Sequence, residues 1–236
     1  MVETPGARRL ARLAAPALLA LLVLASPAGS QDQAPAGSRS FGIARLKYGG
    51  GGDWYEDRTS LVNLLQAVRT RTSIPVSSDR EAVVEPGAAS LFQYPFVFAC
   101  GHGNIKFTPT EVSQVRRWLE AGGFLWIDDD FGIDASLRRE MKRVFPDAEF
   151  VELPYSHGIF HGLYEFPRGL PKIHEHSGGP PQAFGIVRDG RLAVLYTHDT
   201  DIGDGLEDEE VHHDPPEKRE EALRMALNIV HYALTH

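Results

Sequence analysis

The ten histidines of this 236-residue chain all lie beyond residue 100, and seven of them fall in short runs rich in carboxylates and glycines. The runs are Gly101-His102-Gly103-Asn104, Asp128-Asp129-Asp130, His157 with His161, His174-Glu175-His176, Asp201 to Glu207 and His212-His213-Asp214. Imidazole and carboxylate together suit two kinds of chemistry: holding a divalent metal and moving protons near neutral pH. Loops that only connect elements rarely need so many titratable groups, so the pattern points to a site.

Three adjacent carboxylates ionise together only if a cation or arginines neutralise them, because like charges raise one another's pKa. Asp129 and Asp130 are therefore candidates for proton transfer or water activation. The competing reading of this run is an Asx turn, with Asp134 capping the next helix. His102 sits between glycines that allow close backbone approach, which makes it a candidate acid/base residue.

His174, Glu175 and His176 form a candidate metal-ligand run. In an extended segment the two imidazoles share one face and Glu175 takes the other. This is not the His-Glu-x-x-His helix of zinc proteases, and a solvated loop is the alternative. His212 and His213 are further candidate ligands beside a helix start for which Asp214 suits the N-cap. Zinc, manganese and calcium are the cations these donors accept. Calcium would use the acidic stretch Asp199 to Glu210, which lacks EF-hand spacing and otherwise reads as a solvated charge run. His157 and His161 lie four apart, but Gly158 and Gly162 disfavour a helix there, so a turn with a backbone-bonded imidazole competes with a ligand pair.

Substrate contacts are expected from Asp53, Trp54, Tyr55 and Arg139. Trp54 and Tyr55 follow the glycine run Gly49 to Gly52 and either stack on a sugar ring or pack. Arg139 either reaches back to Asp128 or Asp130 as a bidentate partner or lies on an exposed helix face. Cys100 is the lone cysteine and ends the apolar run Tyr94 to Ala99. That setting suits a buried small hydrophobe better than a thiolate, which needs positive, partly exposed surroundings.

Strands and helices must alternate to position these residues. Phe41 to Tyr48, Ile74 to Ser78, Pro95 to Cys100 and Phe124 to Ile127 read as strands. Helices are predicted near 58–70, from Pro109 to about 121, and over 135–144. Thr108-Pro109-Thr110-Glu111 combines a hydroxyl cap, proline at the first helical position and a glutamate three residues after the cap. Glu149 to Leu153 suggests another strand, and Ala183–Val187 with Leu192–Thr197 a hairpin through Asp189-Gly190. A final helix carries Leu223, Leu227 and Val230 on one face. The fold class is therefore α/β: a three-layer, mostly parallel open sheet with an added β-hairpin. In such sheets ligands bind beyond the carboxyl ends of the strands, where Gly49–Asp53, Gly101–Asn104 and Asp128–Asp130 all fall.

Residues 1–30 read as a signal peptide: Arg8, Arg9 and Arg12 precede the apolar stretch Ala14 to Ala25, which is too short to span a bilayer, and small residues follow at 28–30. Arg8-Arg9 leaves both the general and the twin-arginine export routes open. Residues 31–40 suit a flexible tether, and 41–236 a single domain. Export implies a periplasmic or extracellular home, with membrane attachment only through an uncleaved signal. The first thirty residues hold three of the 24 basic and one of the 32 acidic side chains, so their loss moves the formal charge from −8 to −10. That balance disfavours nucleic acid and anionic lipid as partners.

The phrases RLKYGGGGDWY, GHGN, GGFLWIDDDFG, RREMKRVFP, LPKIHEH and GDGLEDEEVHHDP resemble signature blocks of an uncharacterised bacterial family of secreted or membrane-attached proteins. The resemblance covers about Phe41 to His236. It implies a domain of unknown function on a class I glutamine-amidotransferase-like, flavodoxin-like scaffold. Such an amidotransferase would carry Gly-x-Cys-x-Gly and a downstream His/Glu pair. Here Phe98 stands where the first glycine would be, which argues against glutamine hydrolysis. Two functions follow as expectations. One is an exported metal-dependent or acid/base hydrolase acting on a small, neutral or glycan-like substrate. The other is a non-catalytic ligand-binding or assembly module with a cell-envelope protein partner.

Overall fold

A computed structural model of the chain describes residues 1–2 and 40–236. The expected signal peptide and tether fall outside the described residues apart from Met1, Val2 and Ser40. Among the described residues no helix is long and apolar enough to cross a membrane.

The elements run β1 (Ile43–Leu46), α1 (Ser60–Arg71), β2 (Ala82–Val84), β3 (Phe96–Ala99), α2 (Pro109–Glu120), β4 (Phe124–Asp128), α3 (Asp134–Val144) and β5 (Val151–Glu152). Then follow β6 (Gln182–Arg188), β7 (Arg191–His198), α4 (Ile202–Leu206), α5 (Glu209–His212) and α6 (Pro216–Thr235). Seven strands form one sheet in the order β2-β1-β3-β4-β7-β6-β5. Strands β2, β1, β3, β4 and β7 pair in parallel, and β6 is antiparallel to both β7 and β5. The α/β architecture expected from the alternating pattern is thus present, hairpin included.

Strands β1, β3 and β4 are buried along their whole length, which explains their nearly unbroken apolar sequences. Helices α1 and α6 cover one face, where Leu61, Leu64, Leu65, Ile229 and Val230 pack on Phe96, Phe98 and Trp126. Helices α2 and α3 cover the other, where Trp118, Leu119, Leu137 and Met141 meet Val97, Leu125 and Ile127. The hairpin turn places Asp189 and Gly190 both at positive φ, the geometry that matches strand twist.

Three local expectations shift. Residues 74–78 contribute an isolated bridge, Phe41 to Val76, and the strand itself forms later as β2. Pro75 supplies no N–H, so this segment holds the sheet edge through the Pro75 carbonyl, which accepts from the Phe41 N–H, and through the Ser77 N–H, which donates to the Phe41 carbonyl. Strand β5 is confined to two residues. The Thr108–Glu111 capping box forms as predicted, but Asp214 does not cap α6; Pro215 takes that position without a side-chain cap.

Glu140 ties α3 to the loop after β3. Its buried carboxylate accepts from Arg139, Arg143 and the Phe107 N–H. Burial alone would push the Glu140 carboxyl up, yet these bonds outweigh it and hold the group below its ordinary 4.5. A depressed carboxyl adds stability above its unfolded pKa and loses it as pH falls through the folded value. Glu140→Gln is therefore expected to cost about 2 kcal/mol at pH 7. The gap should shrink below pH 4.5 in urea titrations; an equal gap at both pH values would contradict this role.

Candidate functional site

The sheet reverses its winding at β1 and β3, whose following segments leave toward α1 on one face and α2 on the other. Such a reversal opens a crevice at the carboxyl edge. Five aspartates meet there: Asp57 before α1, Asp128 at the end of β4, Asp130 just after it, and Asp201 and Asp204 around α4. Asp57, Asp128, Asp130 and Asp201 are each at most 2 % exposed.

Local structure fixes each one. Asp128 accepts from the Thr197 hydroxyl on β7 and from the Gly203 N–H at 2.6 Å. Asp201 takes a left-handed backbone at φ 57° as it enters α4. Asp57, Asp204 and Glu207 each bring a carboxylate oxygen within 4.8 Å of the others. Burial, reinforced by the neighbouring acids, pushes Asp57, Asp128 and Asp130 well above the usual carboxylate range. Several of their oxygens find no partner: Asp57 Oδ2, both oxygens of Asp130 and Asp201 Oδ1 are buried without a hydrogen bond.

Imidazoles line the outer side of this cluster. His174 Nδ1 lies 2.9 Å from Asp204 Oδ2 and 3.4 Å from Asp201 Oδ2, while its Nε2 lies 3.0 Å from Asp214 Oδ2. The Asp201 and Asp204 carboxylates raise the His174 pKa to about 10 against the opposing effect of burial. His212 Nε2 sits 3.3 Å from Asp204 Oδ1 and 3.1 Å from Glu207 Oε2. The His174 and His212 rings are 5.1 Å apart. One ligand-type atom from each of His174, Asp204 and His212 falls within 4.8 Å of the others. His176 pairs with Asp201 from a third direction.

The expected residues thus divide. His174, His176, His212 and Asp130 converge on the cluster. Glu175 points outward, with Lys172 3.8 Å away. His213 ends α5 exposed at φ 57°. His102 is held in its own pair, its Nδ1 3.1 Å from Asp53 Oδ2, and Asp53 also fixes the His102 N–H. Trp54 packs against the core near Lys47, and Tyr55 is exposed beside Arg58.

Two expectations need correction. Asp129 is committed to structure: its Oδ1 accepts from the Phe131 and Ile133 N–H groups in an Asx-type turn, and its Oδ2 accepts from Tyr196. Arg139 does not reach the aspartates; it binds Glu140, the Asn104 side chain and the Ile105 carbonyl. His157 and His161 make turn contacts, with Ile159 N–H and with Glu165 and the Tyr155 carbonyl. Burial pushes the Cys100 thiol well above its ordinary pKa, so it stays protonated beside Arg45 Nη1 at 3.0 Å.

Asp57 and Arg45 belong to none of the histidine and carboxylate runs. Arg45 had a legible signal, a charge within the apolar strand Ile-Ala-Arg-Leu; Asp57 had none beyond its place before a helix. Residues 42–234 match the family described as Domain of unknown function (DUF4159). A comparison with curated proteins finds no match.

Gly203 controls the packing of the cluster, because a Cβ there would overlap Asp57 Oδ2 and crowd Asp128 Oδ2. Gly203→Ala is expected to destabilise by about 1–3 kcal/mol through overpacking. Gly158→Ala, whose Cβ would meet Tyr232 at an ordinary 3.6 Å, is the control. Equal melting temperatures for the two variants would contradict the packing at Gly203.

Proposed function

The chain belongs to the DUF4159 family, whose description assigns no function, and from that premise we propose an exported, metal-dependent hydrolase. The observation that carries this reading is the convergence of His174, Asp204 and His212 within 4.8 Å of one another. Two imidazoles and a carboxylate suit zinc or manganese, and three protein ligands leave a position for water. A bound metal there would lower the pKa of that water enough to supply hydroxide near neutrality.

The surrounding residues support the same assignment. His174 presents Nδ1 to the cluster and Nε2 to Asp214, the carboxylate–imidazole arrangement that orients a metal-binding histidine. Glu207, which receives the Thr59 N–H, contacts the same His212 Nε2 that faces Asp204 and so adds a further carboxylate to the outer set. His102, oriented by Asp53, is the candidate for moving a proton at the exposed rim.

A neighbouring cavity of about 200 Å³ is lined by Asp129, Phe131, His176, His198 and Asp199 among others, with no lysine or arginine. Phe131 is 57 % exposed, adopts φ 102° and stacks on His176 with ring centres 5.3 Å apart. A bulky residue in that backbone region is strained, so the fold holds this ring outward at a cost. An acidic rim with an exposed ring favours neutral, hydroxyl-bearing substrates such as glycans over anions.

Zinc is expected to raise the melting temperature of chelator-treated protein, and His174→Ala or His212→Ala to weaken zinc binding at least about tenfold. Hydrolysis of chromogenic glycosides or esters should fall in both variants. Protein that carries no metal and whose melting temperature ignores both zinc and chelator would contradict the reading.

A further inference from the structure

The inner aspartates have a chemistry that the histidine-bearing outer face does not explain. His174, His176 and His212 all address Asp201, Asp204, Asp214 or Glu207. None of their contacts reaches Asp57 or Asp130. On the inner side stands Arg45, but its guanidinium donates to the carbonyls of Glu56 and Asp57 and to the Cys100 sulfur, with Glu81 at 3.6 Å. None of these contacts is with an inner carboxylate. Tyr48, the other polar side chain on this wall, donates to the Cys100 carbonyl.

What remains is a set of buried carboxylate oxygens without partners. Asp130 is 2 % exposed and neither of its oxygens makes a hydrogen bond. Asp57 Oδ2 and Asp201 Oδ1 are in the same condition. One atom from each of Asp57, Asp130 and Cys100 lies within 4.8 Å of the others. A cation with metal–oxygen bonds of about 2.0–2.6 Å separates opposite ligands by up to about 4–5 Å, a spacing compatible with an ion shared by the Asp57 and Asp130 carboxylates. Fully buried polar atoms are rarely left unpartnered, and those that are call for a ligand.

We propose that Asp57 and Asp130 form the core of a second, inner cation site for a hard divalent ion of the magnesium or manganese class. The donor set is oxygen, which such ions prefer, whereas the outer set mixes imidazole and carboxylate. Cys100 closes the wall with its neutral thiol facing Arg45 and is not a ligand. Asp57 also lies within 4.8 Å of Asp204 and Glu207, which joins the inner set to the outer one, since Asp204 also belongs with His174 and His212. The two sites are therefore adjacent and separately removable. This inference goes beyond the hydrolase reading, because the inner acids need neutralising whatever reaction the outer site performs.

Manganese binding to the intact chain tests it, read by the electron paramagnetic resonance signal of free against bound ion. In His212→Ala the inner site is expected to retain one equivalent of manganese. In Asp130→Asn that equivalent should be lost, with affinity falling by more than the 10–100-fold typical of outlying partners. Zinc binding at the outer site should persist in Asp130→Asn. Asparagine is nearly the same shape as a protonated aspartic acid, so metal-free Asp130→Asn should melt no lower than the parent; Asp57→Asn serves as a second variant. Manganese held equally well by Asp130→Asn and Asp57→Asn would overturn the inner site. Loss of all manganese in His212→Ala would overturn it too. Zinc binding indifferent to His212→Ala would instead strike the outer site and leave the inner one standing.

Discussion

Carboxylates removed from water must be neutralised, and the carboxyl edge of this sheet removes four aspartates at once. Asp57, Asp128, Asp130 and Asp201 are each at most 2 % exposed, and they come from three segments far apart in the chain. Protons, imidazolium groups or a cation can balance them; each choice has a different consequence for chemistry. The structure supplies imidazoles on one side only. Hydrogen bonds from Thr197 and the Gly203 N–H satisfy Asp128, His176 and His174 face Asp201, and nothing satisfies Asp130. The asymmetry gives the cluster an outer side rich in imidazole and an inner side where the Asp57 and Asp130 carboxylates meet the Cys100 thiol.

The scaffold serves this arrangement. Strands β1, β3 and β4, buried on both faces, deliver the segments bearing Asp57, Cys100 and Asp128–Asp130 to one edge with little freedom. Strand β7 adds Thr197 and then turns through Asp199 and Asp201, both at positive φ, into α4. Gly203 lets that helix start lie directly against Asp57 and Asp128. Glu140, Arg139 and Arg143 anchor the loop after β3 from behind, so an ion-pair network that resembles a binding feature in sequence serves as a brace.

Much of the fold was legible in the sequence because its signals are local. Apolar runs marked the buried parallel strands, Thr108 to Glu111 marked α2, and Asp189-Gly190 marked the hairpin. The site was legible in kind, since histidines and aspartates clustered where strands end. Partnership was not. Asp129 and Asp130 are neighbours of the same type, yet one closes a turn with Tyr196 and the other faces the cluster, because consecutive residues leaving a strand point in different directions. Asp214 occupied a cap-like position but binds His174, forty residues away in sequence. Asp57 became visible only when α4 packed beside it.

The account rests on cations, rather than protons alone, balancing the buried acids between β1, β4 and α4. Anomalous scattering from crystals grown with zinc addresses this most directly. The expected result is a strong peak bounded by His174, Asp204 and His212. A map with no peak there, or with zinc only on the exposed acids Asp208 to Glu210, would contradict it.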